Sequence, residues 1–216
     1  MFFTLFFISF ATALPQPTLA ELNDEQGWSV LKTIKDRTVG TIVVQQKDIQ
    51  DFPCFRAIGT STTSIDVFAV VAQDIPSSLH WSSAGLTESI AIAQSESQID
   101  YYQYLSIPFV SDRHWFLRAQ ITKTDSSFAL SWSILPKGEH SAFVAQKKAQ
   151  YPKAVEPPIN VGEWLFTKEG SNTNVQYSIC THPGGSVPKQ FRSIGTVKTL
   201  PTNVKEMILE GKKRAQ

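Results

Sequence analysis

Hydrophobic and polar residues alternate most clearly in the run Phe-Ala-Leu-Ser-Trp-Ser-Ile at positions 128–134. A period of two places successive side chains on opposite faces of a strand. One apolar face and one polar face are typical of an antiparallel sheet that packs on one side only. The pattern therefore predicts a strand here, with Trp132 on its buried face.

Further strands are predicted wherever β-branched and aromatic residues are bounded by turn residues. They fall at 39–46, 55–60, 88–95, 98–107, 115–124, 162–167 and 174–181. Polar turns at 125–127 and 169–172 favour hairpins. The polar connection between Leu135 and Val161 is longer than an ordinary hairpin loop, so it is either a functional loop near a site or an exposed excursion.

Apolar residues at helical spacing predict three helical regions before the last third of the chain. The first covers 21–35, with Asn23 or Asp24 as its cap. The second covers 64–74, with Ser64 as its cap. A short third one follows at 76–85 and carries Trp81.

A long helix is predicted after Pro188. Its apolar stripe consists of Phe191, Ile194, Val197, Val204, Met207 and Ile208. Proline lacks the backbone donor that a helix interior needs, so Pro201 predicts a kink or two segments. In the second case Thr199 or Thr202 would cap the second segment.

The segment from Ile99 to Ile121 reads as two aromatic strands joined by a turn. After the turn, one face carries Arg113, Trp115, Leu117, Ala119 and Ile121. Before it, one face carries Asp100, Tyr102 and Tyr104, and the other carries Tyr101, Gln103, Leu105 and Ile107. Alternation alone does not say which of these last two faces points inward.

Composition narrows the function classes. The chain has 216 residues, of which 42% are hydrophobic, enough for one domain with a sizeable core. With 20 basic and 19 acidic residues the formal net charge is +1, so nothing argues for a nucleic-acid partner. The sequence contains no nucleophile elbow, phosphate loop or zinc-protease motif, and its four histidines show no metal-ligand spacing. We expect no metal and no cofactor.

The first twenty residues resemble a secretory signal peptide. They contain no Lys, Arg, Asp or Glu, and a short apolar run is followed by Ala-Thr-Ala, two prolines and Thr-Leu-Ala. The run is too short to cross a bilayer, which takes about 20 apolar residues. We expect residues 1–20 to be removed and residues 21–216 to function in the periplasm or outside the cell.

Two motifs identify a family resemblance. The residues Tyr101-Tyr102-x-Tyr104-x-x-x-Pro108-Phe109-x-Ser111-Asp112-Arg113 are similar to a signature of START domains, the lipid-transfer domains of the helix-grip superfamily. His182-Pro183-Gly184-Gly185-x-Val187-Pro188, 70 residues further on, resembles the family's turn before its last helix. The chain is thus similar to a secreted, bacterial-type START domain with a single domain.

The resemblance implies an α+β helix-grip fold. A curved antiparallel sheet would wrap around the long C-terminal helix and enclose an apolar cavity. It implies a non-enzymatic protein that binds, and in the family transfers, a lipid or other hydrophobic molecule. Transient membrane contact and a monomer are expected with it. The alternative is a superfamily enzyme, cyclase- or aromatase-like, acting on a hydrophobic substrate.

The candidate cavity residues combine the resemblance with strand parity. They are Asp100, Tyr102, Tyr104, Arg113, Trp115, Leu117, Ala119, Trp132, Ile194 and Met207. For Arg113 a structural role, as a buried ion pair or carbonyl clamp at the turn, competes with ligand binding. His114 falls on the outer face by alternation, and we expect it to be exposed. His182 is expected to serve the turn rather than act as a base.

The resemblance also bears on the two cysteines, Cys54 and Cys180. The strand order expected from the helix-grip fold separates their strands by one intervening strand. Two strand spacings of about 4.8 Å exceed the roughly 7 Å between Cα atoms that a disulfide allows. The expectation is therefore two separate buried thiols.

Overall fold

The computed structural model describes residues 17–107, 110–185 and 194–216. Within them, the strands form a single curved antiparallel sheet with nine members. These are Ser29–Asp36 (β1), Gly40–Ile49 (β2), Phe52–Ser61 (β3), Leu86–Gln94 (β4), Gln98–Leu105 (β5), Arg113–Lys123 (β6), Ser127–Ile134 (β7), Ile159–Glu169 (β8) and Asn172–His182 (β9).

The helices are fewer and shorter, apart from the last. They are Leu19–Asn23 (α1), Ile65–Gln73 (α2), Ser78–Trp81 (α3), Ser141–Gln150 (α4) and Ile194–Arg214 (α5), with a 3-10 turn at Ile75–Ser77 leading into α3. The predicted helices at 64–74 and 76–85 are confirmed by α2 and by the pair formed by the 3-10 turn and α3. Among the described residues, no helix is long and apolar enough to cross a membrane.

The sheet order is β1-β2-β3-β9-β8-β7-β6-β5-β4. Consecutive strands are neighbours in the sheet, with the exception of β3 and β4. β3 pairs with β9 instead, and β4 lies at the far edge. The first three strands of the chain are therefore joined to the rest of the sheet through the last strand, β9. β1 and β4 are left as the two edges.

The predicted helix at 21–35 is wrong in most of its length. The helix α1 ends at Asn23, and Gly27 then adopts φ 84°, a left-handed conformation that favours glycine. The chain enters β1 two residues later, at Ser29. Val30, Thr33 and Ile34 are β-branched, and they pair with β2 in an antiparallel ladder. Val30 and Leu31 are exposed, so the apolar spacing there reflects an edge strand and not a buried helix face.

α5 runs unbroken through Pro201, so the prediction of two separate segments is wrong. The capping role for Thr199 is wrong as well. Its hydroxyl donates to the carbonyl oxygen of Gly195, one turn earlier, at 3.0 Å.

The main core lies between the sheet and α2 and α5. Phe68 of α2 stacks on Phe166 of β8 with ring centroids 5.2 Å apart. Gly211 permits this close approach, since a Cβ added there would lie 2.3 Å from the Phe68 ring. The C-terminal helix thus packs against α2 through a contact that only glycine allows.

The expectation of two free cysteines is wrong, because Cys54 and Cys180 form a disulfide with Cα atoms 4.4 Å apart. The strand order assumed from the family resemblance was the error. β3 and β9 are direct neighbours, and the pairing of Phe55 with Ile179 brings the preceding and following residues opposite each other. Leu22 of α1 packs against this disulfide, together with Ile49.

Candidate functional site

A cavity of about 770 Å³ lies between the sheet and the helices α2, α3 and α5. Its wall is mostly apolar and aromatic. The strands contribute Tyr101, Leu105, Trp115, Leu117, Leu130, Trp132, Trp164, Tyr177 and Ile179, and the helical side contributes Val71, Ile75, Trp81, Leu200 and Met207. Gly162 leaves room for this wall, because a Cβ there would lie 2.4 Å from the Trp132 ring.

Strand parity on β6 puts its odd-numbered residues on the inner face, but the cavity placement of Ala119 is wrong, because Ala119 is not part of the cavity wall. Arg113, Trp115 and Leu117 line the cavity, as do Trp132 of β7 and Met207 of α5. Ala119 shares this face but lies deeper, fully buried in the main core and opposite Trp132. The side chain of Ile194 lies outside the described residues.

The cavity placement of Asp100, Tyr102 and Tyr104 is wrong. The register of β5 and β6 pairs Tyr101 with Leu117, and directly opposed residues project from the same face. Because Leu117 points into the cavity, Tyr101 does too, along with Gln103, Leu105 and Ile107. The other parity class of β5 therefore lies on the outer face of the sheet.

On that outer face Asp100 belongs to a charged cluster. Both of its carboxylate oxygens accept hydrogen bonds from Arg118, at 2.7 Å each, and one also contacts Nε2 of His140 at 2.8 Å. The Arg118 hydrogen bond is the main reason why the pKa of Asp100 is lowered, with His140 adding to the effect. The buried carboxylate thus ties β5, β6 and the segment before α4 together.

The connection between Leu135 and Val161 packs on the outer face of the sheet, so the prediction of an exposed excursion is wrong. The prediction of a functional loop stays a prediction. The connection forms α4, whose Phe143 and Val144 pack on a second small core. Strand residues of that core are Tyr102, Tyr104, Phe116, Ile90 and Ile92. His114 is buried under the same segment and its pKa is lowered by that burial, so the expectation of an exposed His114 is wrong.

Arg113 is a carbonyl clamp between the two sequence motifs. Its Nε donates to the Pro183 carbonyl oxygen at 2.9 Å, Nη2 donates to Gly184 at 3.3 Å, and Nη1 donates to Ser111. Burial lowers the pKa of Arg113, and the nearby Asp112 carboxylate acts in the opposite direction. The predicted role of Arg113 as a carbonyl clamp at the turn is thereby confirmed.

The turn after β9 presents the carbonyl oxygens of Pro183 and Gly184 to Arg113. Gly184 and Gly185 adopt φ values of 67° and 60°, which favour glycine. Nδ1 of His182 accepts a hydrogen bond from the Gly184 amide at 3.0 Å, as expected of a turn residue. The two loops at this end of the sheet are thus fixed to each other across 70 residues of sequence.

Two residues of the cavity wall each carry a buried polar atom that has no hydrogen-bond partner among the described residues. These atoms are Nε1 of Trp115, a donor, and Oδ1 of Asn203, an acceptor. Trp132, by contrast, donates its Nε1 to Oδ1 of Asn160 at 3.0 Å. Sequence reasoning missed Asn203 and Asn160 as wall residues, and it had Gln103 only on the alternative inward face of β5. Asn203 could have been found from its spacing of four residues before Met207, which puts both on one helix face.

The curved sheet closed by a C-terminal helix around a cavity defines a START-like, helix-grip fold. Neither a protein-family model nor a curated protein sequence matches the chain. The evidence for the class therefore comes from the fold.

Solved structures show the same fold at low sequence identity. A STAR-related lipid transfer protein from Xanthomonas axonopodis is 19% identical with a TM-score of 0.60, covering 83% of this chain and 99% of that one. Human StAR-related lipid transfer protein 5 is 11% identical with a TM-score of 0.69, covering 92% of each chain. The Zhui aromatase/cyclase from Streptomyces is 10% identical with a TM-score of 0.51, covering 76% and 95% respectively.

These identities establish the fold and nothing finer. The fold accommodates both lipid transfer proteins and aromatase/cyclase enzymes. A choice between those classes has to come from the chemistry of this chain's own cavity.

Proposed function

We propose that this protein binds a lipid or another hydrophobic small molecule in the cavity, without catalysing a reaction on it. The single observation that supports this most is the 770 Å³ space lined by aromatic and aliphatic side chains. Ligand sites are typically 300–1,000 Å³, mostly apolar, with a few polar groups that set orientation. The cavity has that size and that composition.

The titratable groups of the wall favour binding over catalysis. Burial raises the pKa values of Tyr101 and Tyr177, so their phenols stay protonated at neutral pH. Asp74 accepts a hydrogen bond from Arg214 at 2.9 Å, and Arg113 is committed to backbone carbonyls. A general base poised near neutral pH is what acid–base chemistry would need, and these groups do not supply one.

The second candidate remains a cyclase- or aromatase-like enzyme on the same fold. It is favoured by the TM-score of 0.51 to the Zhui enzyme, which is evidence of fold alone. Such an enzyme would use the same cavity, but would require a group that moves protons at the ligand.

Native mass spectrometry of the purified protein, followed by organic extraction, tests the proposal. We expect a hydrophobic molecule to co-purify, or an environment-sensitive fluorescent fatty-chain probe to bind at one site. Absence of both would contradict the binding function. Chemical conversion of a co-purified ligand during incubation would favour the enzyme instead.

We also propose that the protein is exported and works as a monomer that touches membranes transiently. The Cys54–Cys180 disulfide supports export, since disulfides persist in oxidising compartments such as the periplasm or the extracellular space. Val110, at the cavity wall and half exposed, offers an apolar contact for a membrane surface.

The position of α1 bears on where a leader would be cut. Thr18 and Glu21 form a capping box, with the Glu21 amide donating to Oγ1 of Thr18 at 3.2 Å, and Leu19 packs near the disulfide. Removal of residues 1–20 would delete that cap, whereas a cut after Ala13 would keep it. The intact mass of protein recovered from the extracytoplasmic fraction distinguishes the two. Full-length protein confined to the cytoplasm would contradict export.

A further inference from the structure

We propose that residues 135–158, the connection that contains α4, form a pH-sensitive strap whose release opens the mouth of the cavity, and that His114 is the group that responds to pH. The mouth is the end of the cavity lined by Ile107, Val110 and Pro183, where Val110 is half exposed. Opening of the mouth for a ligand rests on the proposed binding function, whereas release of the strap does not.

The end of the strap is attached to the first side of the mouth, the start of β6. The Val155 amide donates to the Asp112 carbonyl oxygen at 2.9 Å, and the Val155 carbonyl oxygen accepts from the His114 amide at 3.2 Å. Val155 thereby forms an isolated parallel bridge with Arg113, which lines the cavity. Any movement of this end of the strap breaks main-chain hydrogen bonds of the mouth.

Val155 also supports the second side of the mouth, the turn after β9. A Cβ added at Gly184 would lie 2.8 Å from Cγ1 of Val155, and one added at Gly185 would lie 3.5 Å from Cγ2, so the isopropyl group packs directly on the turn. Pro183 of this turn lines the cavity and accepts from Arg113. The strap thus contacts both sides of the mouth at the point where Arg113 joins them.

His114 is a titratable side chain enclosed beneath the strap. It is 2% exposed, and its Nδ1 lies 3.4 Å from the hydroxyl of Tyr102. Its ring packs edge-on against Phe116, with centroids 5.3 Å apart. Burial lowers the pKa of His114 below its ordinary value of 6.5, so the ring is neutral while the strap is in place.

The charged and titratable neighbours of His114 are already paired or neutral. On the strap, Glu156 raises the pKa of His114 and Lys148 lowers it, but these two side chains form a salt bridge with each other at 2.7 Å. On β5, burial raises the pKa of Tyr102, and it raises the pKa of Tyr104 to about 12, so both phenols are neutral. A protonated His114 would therefore be a buried charge whose nearest carboxylate, that of Glu156, already has a partner.

Two further clusters join the strap to the sheet, namely Glu88 with Lys147 and Tyr151, and Asp100 with Arg118 and His140. Carboxyl groups ordinarily titrate near pH 4, so these pairs remain intact at about pH 5. His140 contacts a carboxylate, so its protonation would strengthen the attachment of the strap, because a charged donor makes the stronger hydrogen bond. Protonation of His114 acts in the opposite direction.

Protonation of His114 favours the state in which its ring reaches water, because burial penalises the charged form. The ring reaches water only if the strap leaves the outer face of the sheet, and the contacts of Val155 with the mouth are then lost. Arg113 still joins the two sides of the mouth, but without the support of the strap. Acid thereby shifts the population towards the open mouth.

Hydrogen exchange of the ligand-free protein tests the strap at about pH 7.5 and about pH 5, after correction for the intrinsic exchange rate. We expect protection of the amides of α4 to fall at least about tenfold at the lower pH, while the amides of β8 and β9 keep theirs. Equal protection of α4 at both pH values would overturn the proposal. An equal loss over the whole sheet would overturn it too, since that is global unfolding.

Substitutions identify the responding histidine. His114→Phe keeps a ring but cannot be protonated, so the protection of α4 should change no more than about twofold between the two pH values. His114→Asn gives the same test with a smaller neutral side chain. His80→Gln is the matched control, because His80 is exposed on α3, and it should behave like the wild type. A response that is kept in both His114 variants and lost in His140→Asn would overturn the role of His114.

Ligand release is measured with a nitrobenzoxadiazole-labelled fatty alcohol, whose charge is the same at both pH values. Its dissociation from the wild type should be at least about fivefold faster at the lower pH, and from His114→Phe no more than about twofold faster. Val155→Ala should release it faster already at about pH 7.5, because this change removes the packing on Gly184.

The outcomes separate this proposal from the proposed function. Absence of probe binding at both pH values would contradict the binding function, and the strap would then stand or fall on hydrogen exchange alone. A strap that opens in acid while the probe dissociates at an unchanged rate would leave the binding function standing and overturn the control of the mouth.

Discussion

Nζ of Lys32 donates a 3.0 Å hydrogen bond to the backbone carbonyl oxygen of Val197. In a regular helix this oxygen would accept from the amide four residues later, which here is Pro201 and has no N–H. A side chain from the edge strand β1 thus satisfies the carbonyl that proline leaves unpaired. The same bond fixes the N-terminal part of α5, beside the cavity, to the sheet.

Lys32→Met should lower the free energy of unfolding by about 1 kcal/mol, the usual net value of one hydrogen bond. In the Pro201→Ala background the same change should cost much less, because an amide at position 201 can donate to Val197. Denaturant unfolding of the four proteins gives the coupling energy. Lys35→Met, at an exposed position of the same strand, is the control. An equal cost of Lys32→Met in both backgrounds would contradict this relationship.

The disulfide predicts a protein two mass units lighter than the sum of its residues, with no maleimide labelling before reduction. The double variant Cys54→Ser, Cys180→Ser should lose about 2–4 kcal/mol of unfolding free energy, because the bond links residues 126 apart in sequence. Calorimetry with and without reductant measures this. Labelling of two thiols under denaturing, non-reducing conditions would show that the bond is absent.

Leu117 and Ala119 form a matched pair for locating the cavity. Both lie on the inner face of β6, but Leu117 lines the cavity whereas Ala119 is enclosed by the core next to Trp132. Ala119→Trp should therefore destabilise the protein by about 1–3 kcal/mol or more through overpacking.

Leu117→Trp has space to project into, so it should cost less than about 1 kcal/mol and should displace the bound ligand instead. Melting curves and probe binding on both variants provide the comparison. Severe destabilisation by both substitutions would mean that the interior is solid at this depth.

Asp100 should make stability depend on pH. Its pKa is lowered below the ordinary value of 3.8, chiefly by the hydrogen bond from Arg118. Because the folded-state pKa is lowered, the ionised Asp100 carboxylate stabilises the folded protein at pH values above the unfolded-state pKa. This stabilisation is lost as the pH falls towards the folded-state pKa. At pH 7, Asp100→Asn should therefore cost about 2 kcal/mol.

The difference between wild type and Asp100→Asn should shrink as the pH is lowered below about 4, because the wild-type carboxyl then becomes neutral too. Urea unfolding across that range is the measurement. Asp125→Asn, at an exposed turn position, is the control and should show no such convergence. A constant difference from pH 7 to pH 3 would rule out the ionised carboxylate as the cause.

Several features were determined by the sequence itself, because they depend on local periodicity. Alternation identified the strands that became β2 to β9 to within a few residues, and helical spacing identified α2 and α5. It also put Arg113, Trp115 and Leu117 on one face, because that relation is set by the pleat and needs no partner strand. The two motifs pointed to the fold that the structure shows.

Other features were decided only by the tertiary structure, because they depend on which segments meet. Alternation divides β5 into two faces, but only its register with β6 shows that Tyr101 and not Tyr102 enters the cavity. The pairing of β3 with β9 joins Cys54 to Cys180, and edge pairing with β2 makes a strand of the segment containing Lys32. Such contacts are set by hydrogen bonds and packing between residues far apart in sequence, which local periodicity does not encode.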